Sequence, residues 1–285
     1  MRTLILASTL VIPATLVAQA ADTAARRIKQ EAVNLDGNGK GAEARKIWQK
    51  LIDEAPDAAA KAAAQRRMAM SWGFEGICTN AIKYHTMVID YWKTREQAEP
   101  QNAFYQEGEM ANESARVCID AGDLDQAHRF YALGSELGNK EPEPRTHPKS
   151  LWDFRLAHAE ARIDARKGKK ADAEKHVAEA RKALDSDPEM AKNQERFFPY
   201  LLGYVALYSG DFEAAAKHLD AALLIEQNKG DPFLTYLLGK AHEGLGTNHR
   251  IIAVGFYQKA YELAEGNHNP PAAFVRRELR KKGKS

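Results

Sequence analysis

Apolar residues along this chain recur at three- and four-residue spacing within segments of about 12–18 residues. Glycines, prolines and short polar clusters separate the segments, where helix ends and turns belong. No stretch of useful length alternates strictly between apolar and polar, so the pattern predicts helix–turn–helix units in series and no sheet. The first segment departs from this pattern. Met1 and Arg2 precede an almost uncharged apolar run, Leu4 to Val17, that contains Pro13. Ala18-Gln19-Ala20 then offers a small-x-small cleavage site before polar Ala21-Asp22-Thr23. These are the three parts of a secretory signal peptide, with cleavage expected after Ala20. The run is too short for the roughly 20 residues of a membrane-spanning helix. No cysteine follows it to carry a lipid.

The helical segments repeat. Two small residues twelve apart recur as Ala32 and Ala44, Ala69 and Ala81, Ala115 and Ala127, Ala161 and Ala173, and Gly203 and Ala215. A glycine follows the first member by seven residues in every case: Gly39, Gly76, Gly122, Gly168 and Gly210. A sixth unit keeps Gly239 and Gly246 but reaches Ala253 after fourteen residues, so its turn is two residues longer. Antiparallel helices of one hairpin approach closely only where side chains are small. A glycine ends the first helix by taking a left-handed conformation that other residues resist. One helical turn beyond the second small position, Trp48, Tyr84, Tyr131, Val177, Leu219 and Tyr257 are expected to fill the space between hairpins.

Gly122-Asp123-Leu124-Asp125-Gln126-Ala127 followed by Phe130-Tyr131 resembles the core of a tetratricopeptide repeat. So do Leu202-Gly203 through Gly210-Asp211-Phe212-Glu213-Ala214-Ala215 to Ala222-Leu223, and Leu238-Gly239 with Tyr257, Ala260 and Leu263. The resemblance covers roughly residues 25–266. It implies an all-α, right-handed superhelical solenoid of about six hairpins. Repeats of that family are about 34 residues long, whereas the second small positions here lie 37 to 46 residues apart. Extra residues therefore sit between hairpins, as around Pro142, Pro144 and Pro148. Pro270-Pro271 starts a last helix expected to cap the final apolar face, as open solenoids require. The expected organisation is a signal peptide over 1–20, a helical repeat domain over 21–269, and a capping helix with a basic tail over 270–285.

Composition adds compartment and narrows the partners. At 44% hydrophobic and 28% charged residues, the chain is that of a folded globular protein. The formal net charge is +2, one less once Arg2 leaves with the signal peptide, which gives no electrostatic case for nucleic acid. No second apolar run would span a membrane, so the expected location is periplasmic or secreted. Cys78 and Cys118, the only cysteines, lie at helix ends that neighbour each other in such a stack. They form either a disulfide suited to an oxidising compartment or two buried thiols. The basic block Arg276 to Lys282 reads as a solvated helix end.

The resemblance implies that the first helix of each hairpin faces the concave side. Its offsets place Arg155, His158, Arg162 and Arg166 in unit four. They place Phe197, Tyr200, Tyr204 and Tyr208 in unit five, and Phe233 and Tyr236 in unit six. Arginines suit carboxylates through forked hydrogen bonds, and the aromatics are rigid apolar anchors. Together they imply a groove for a protein or peptide partner. A small molecule or glycan held on the aromatic patch is the alternative. Nothing marks catalytic chemistry. The nine histidines include no His-x-x-x-His pair, and Asp36-Gly37-Asn38-Gly39-Lys40-Gly41 puts a lysine where a calcium loop needs an oxygen ligand. No phosphate-cradling glycine loop occurs. No enzyme activity, cofactor or metal is expected.

Overall fold

The computed structural model describes residues 14–265, 267 and 269–283, with side chains from residue 26 onward. Most of the expected signal peptide, residues 1–13, lies outside the described residues. Fourteen α-helices and no strand occur among the described residues. They form six antiparallel hairpins: α1 (Ala14–Gly37) with α2 (Gly41–Asp53), α3 (Ala58–Phe74) with α4 (Cys78–Lys93), and α5 (Pro100–Ala121) with α6 (Leu124–Gly138). The next three are α7 (Lys149–Arg166) with α8 (Lys170–Ser186), α10 (Phe198–Tyr208) with α11 (Phe212–Leu224), and α12 (Pro232–Gly244) with α13 (Arg250–Glu265). A short α9 (Pro188–Gln194) and a single 3-10 turn (Glu195–Phe197) lie between the fourth and fifth hairpins, and α14 (Pro270–Lys282) ends the chain. The architecture is an all-α solenoid. No helix among the described residues is long and apolar enough to cross a membrane.

The twelve-residue spacing is the packing rule of each hairpin. The paired alanines of the first four units, and Ala215 in the fifth, have no exposed surface. Each turn glycine adopts a positive φ, from +72° at Gly76 to +91° at Gly246. After Gly122 and Gly210, Asp123 and Asp211 cap the second helix by accepting from the Gln126 and Ala214 amides. Gly203 and Gly239 replace alanine for a steric reason. A Cβ on Gly203 would lie 2.6 Å from Leu219 Cγ, and one on Gly239 would lie 2.8 Å from the Tyr257 ring. In the second unit the residue four past Ala81 is His85, and it is His85 that fills the buried space. Tyr84 is only half-buried.

The inserted residues are built structure. Arg145 donates to the carbonyls of Gly138, Asn139, Glu141 and His147 and gathers the loop before α7 around one guanidinium. Cys78 and Cys118 are joined by a disulfide with a Cα–Cα distance of 4.8 Å, tying α4 to α5. The C-terminal helix does more than cap. Ala272 and Val275 of α14 complete the apolar core of the last hairpins. The same helix reaches back across the stack to α3, where Arg277 Nη1 donates to the Phe74 carbonyl at 3.0 Å. The basic block is therefore not a solvated end throughout: Arg276 is buried and donates to the Ala264 and Asn267 carbonyls.

Candidate functional site

Residues of the first helices α5, α7, α10 and α12, together with α14, meet around one cavity. The helix period fixes which side chains point there. Positions one and five after the small residue give Arg116 and Asp120 on α5 and Arg162 and Arg166 on α7; on α10 they give Tyr204 and Tyr208. A cavity of about 250 Å³ opens between these helices, walled by His158, Arg162, Phe197, Tyr200, Tyr204 and Phe233. Arg116 and Asp120 also line it, with Pro271 from α14. A neighbouring cleft of about 300 Å³ shares Arg116, His158, Arg162 and Phe197 with the cavity. It continues toward Glu113 and Arg155.

Six of the ten groove residues expected from the sequence thus meet in one cavity. The other four stand around it. Arg155 pairs with Glu109 and lies over the Trp152 ring, on the cleft side. Arg166 donates to the Ile119 carbonyl and lies over the Tyr208 ring. Tyr208 accepts from Lys240 Nζ at 3.3 Å. Tyr236 packs edge-on against Phe274 of α14. The aromatics are not free-standing anchors. Tyr200 packs edge-on against Tyr204, Tyr204 lies against Tyr208, and Phe233 bridges Tyr200 to Phe274. Burial follows from the small residues that bring neighbouring helices close, and from α14 covering the last units.

The arginines differ in what they have left to offer. Arg162 is 8% exposed. It spends its donors on the Tyr200 and Tyr131 hydroxyls and the His158 carbonyl. Burial works against its charge, but the tyrosine oxygens around it outweigh burial and raise its pKa. Tyr200 is pushed up to about 12 by burial, with Arg162 opposing. Arg116 carries a buried Nη1 with no hydrogen-bond partner among the described residues. His158 is buried beside it, with the Phe197 backbone within hydrogen-bonding reach of its ring. Burial, and then the charge of Arg162, hold His158 well below the usual histidine pKa, so it stays neutral.

Asp120 is the acid facing this group. Burial raises its pKa although Arg116, Arg162, Arg277 and Arg166 all pull the other way. At the cleft end, burial opposes ionisation of Glu113. His85 and Arg66 overcome it and hold that carboxyl down to about 2. The cavity therefore sets Arg116 and Arg162, with Asp120 and Asp231, beside an aromatic wall. Arg116 and Asp120 follow from the same offsets applied to unit three. Sequence reading missed them because unit three has no aromatic residue at these positions to draw attention.

No protein-family model matches the chain, and no curated protein sequence matches it. Among solved structures, the crystal structure of MamA protein aligns at 19% identity and TM-score 0.31 over 71% of this chain and 93% of that one. The crystal structure of yeast Tom70 aligns at 15% identity and TM-score 0.40, over 85% of this chain and 52% of that one. Both are tetratricopeptide-repeat structures. The fold assignment here rests on the repeated hairpins themselves.

Proposed function

We propose that this chain is an exported, non-catalytic scaffold whose concave cavity and cleft bind an acidic, partly apolar segment of a protein partner. The observation that carries the proposal is Arg116, whose Nη1 has no hydrogen-bond partner among the described residues, beside His158 and the Tyr200 and Phe233 walls. A buried polar nitrogen without a partner costs about 1–3 kcal/mol, which a carboxylate or carbonyl guest recovers. The Cys78–Cys118 bond and the signal-peptide pattern both favour a periplasmic or secreted location.

Affinity capture from the native envelope fraction, with Arg116→Gln and Phe233→Ala as controls, tests this reading. A protein captured by the wild type and lost with both variants supports it. A second reading rests on the small size of the cavity, which suits a small anionic molecule or a glycan. Saturable binding of such a molecule with no protein recovered would replace the first reading with the second.

A further inference from the structure

Glu160 and Asp164 lie on the face of α7 turned toward α6 and α8. There they join a second cluster, separate from the cavity. His176 of α8 presents Nε2 at 3.5 Å from Glu160 Oε2 and 3.8 Å from Glu179 Oε2. Its other ring nitrogen, Nδ1, lies 3.0 Å from Asp164 Oδ2. His128 of α6 approaches the remaining oxygen of Glu160 at 3.7 Å. Donor atoms of Glu160, His176 and Glu179 all fall within 4.8 Å of one another.

The charges do not balance within this group. Three carboxylates converge on one imidazole, and a protonated His176 would offset only one of them. Two lysines stand at the edge: Lys169 at 4.0 Å from Asp164 and Lys175 at 3.8 Å from Glu179, both largely in solvent. Exposed pairs at such distances contribute little. Glu160 and Asp164 are mostly buried, with side-chain exposures of 20% and 14%, and are not neutralised by them.

We propose that Glu160, His176 and Glu179 form a binding site for a divalent first-row transition ion, of which zinc is the best match to one imidazole and two carboxylates. Zinc–ligand bonds of about 2.0–2.1 Å in a tetrahedron put donors about 3.3 Å apart. The two His176 distances are close to that, while the Glu160 and Glu179 oxygens, within 4.8 Å of one another, would have to close by up to about 1.5 Å through side-chain rotation. Asp164 lies 3.0 Å from Nδ1 without hydrogen-bond alignment; a small ring rotation would give the imidazole the outer carboxylate that metal-binding histidines keep, leaving Nε2 to the ion. His176 and Glu179 sit three residues apart on one helix face, and Glu160 comes from the partner helix. A scan for His-x-x-x-His pairs therefore passes over the site. A bound ion would clamp α7 to α8 on the side opposite Arg162 and His158.

The test is calorimetric titration of the untagged full chain with zinc chloride. One ion per chain is expected. His176→Gln and Glu160→Gln should each weaken binding by about tenfold or more, as should Asp164→Asn. His242→Gln serves as the control. It breaks up the close pair His242 and His249, whose Nδ1 atoms lie 3.1 Å apart, and should leave binding unchanged. Absence of saturable binding would overturn the proposal, and so would binding that survives His176→Gln or disappears with His242→Gln. Should a variant lose its helical circular dichroism, carbethoxylation of the wild type decides the matter. Zinc should shield His176 from the reagent, and equal modification with and without zinc overturns the site.

Discussion

Arg162 of α7 donates from Nη1 to the Tyr200 hydroxyl of α10 and from Nη2 to the Tyr131 hydroxyl of α6, both at 3.1 Å. One buried guanidinium thus links three successive hairpins beneath the cavity. Three of its five N–H donors are occupied, one on each nitrogen, so its first duty is to hold the wall rather than to grip a guest. Tyr200→Phe leaves one of these donors unpaired and is expected to cost about 1–2 kcal/mol. Arg162→Ala should cost about 3 kcal/mol or more, because it also strands both hydroxyls. Arg116→Gln, which removes a charge facing Asp120 but no side-chain hydrogen bond, should cost less than either, about 1 kcal/mol. Urea denaturation of the three variants checks the order, and equal losses for all three would show that Arg162 has no special structural role.

Glu107 makes stability depend on pH in an unusual direction. Its carboxyl has no exposed surface and lies against the Glu96 carboxyl, a hydrogen-bond partner for its protonated form. Burial, with Glu96 facing it, pushes its pKa up to about 7 against the weaker pull of Lys93 and Lys140. The unfolded chain loses this proton near the ordinary value of 4.5. Between those two values the native state binds the proton and the unfolded state does not. This group's contribution to stability therefore falls as pH rises through that window and stays lost above it. Glu107→Gln should be the more stable protein at pH 8, by about 1–3 kcal/mol, and should equal the wild type below pH 4.5. Thermal midpoints measured from pH 4 to 8 test this, and parallel curves for the two proteins would count against it.

Two glycines of the fifth hairpin should fail for different reasons when replaced by alanine. Gly203→Ala drives a methyl into Leu219 and should cost about 1–3 kcal/mol. Much of that cost should return when Leu219 is also reduced to alanine. Gly210 has φ +82° and nothing within 4 Å of a Cβ among the described residues. Gly210→Ala should cost about 1–2 kcal/mol of backbone strain that no neighbouring substitution relieves. A double-mutant cycle separates the two cases.

The disulfide closes a loop of 40 residues of sequence separation. Replacing both cysteines by alanine should lower stability by about 4 kcal/mol, chiefly by freeing the unfolded chain. Denaturation of the wild type with and without reductant should show a loss of the same size. If the reductant has no effect on the midpoint while both thiols become free, the bond contributes nothing to the fold.

The fold was the readable part because its signal is local. The spacing Ala115 to Gly122 to Ala127 spans one turn between two helices, and helix geometry alone places both alanines at the crossing. The candidate site was readable in part. The offsets selected His158, Arg162, Tyr200 and Tyr204, which line one cavity, since a helix face follows from periodicity. They could not say that Tyr204 would be 3% exposed and packed against its neighbours. That depends on how closely the next hairpin leans in. Trp152 shows the same limit. It is fully buried where Gly138 leaves room, since a Cβ there would lie 2.0 Å from the indole. Nothing in the twelve-residue rule assigns that glycine a partner in the following hairpin.

By itself the sequence determined six hairpins and their turn glycines, because these are set by contacts within a dozen residues. Only the tertiary structure decided that α14 returns to α3, with Arg277 meeting Phe74 across 203 positions. It likewise decided that Glu160 and His176 come together on adjoining helices while Arg162 is occupied beneath the cavity. Such meetings depend on the angle between every successive pair of hairpins. Those angles arise from side-chain packing summed along the stack, which no local pattern of residues encodes.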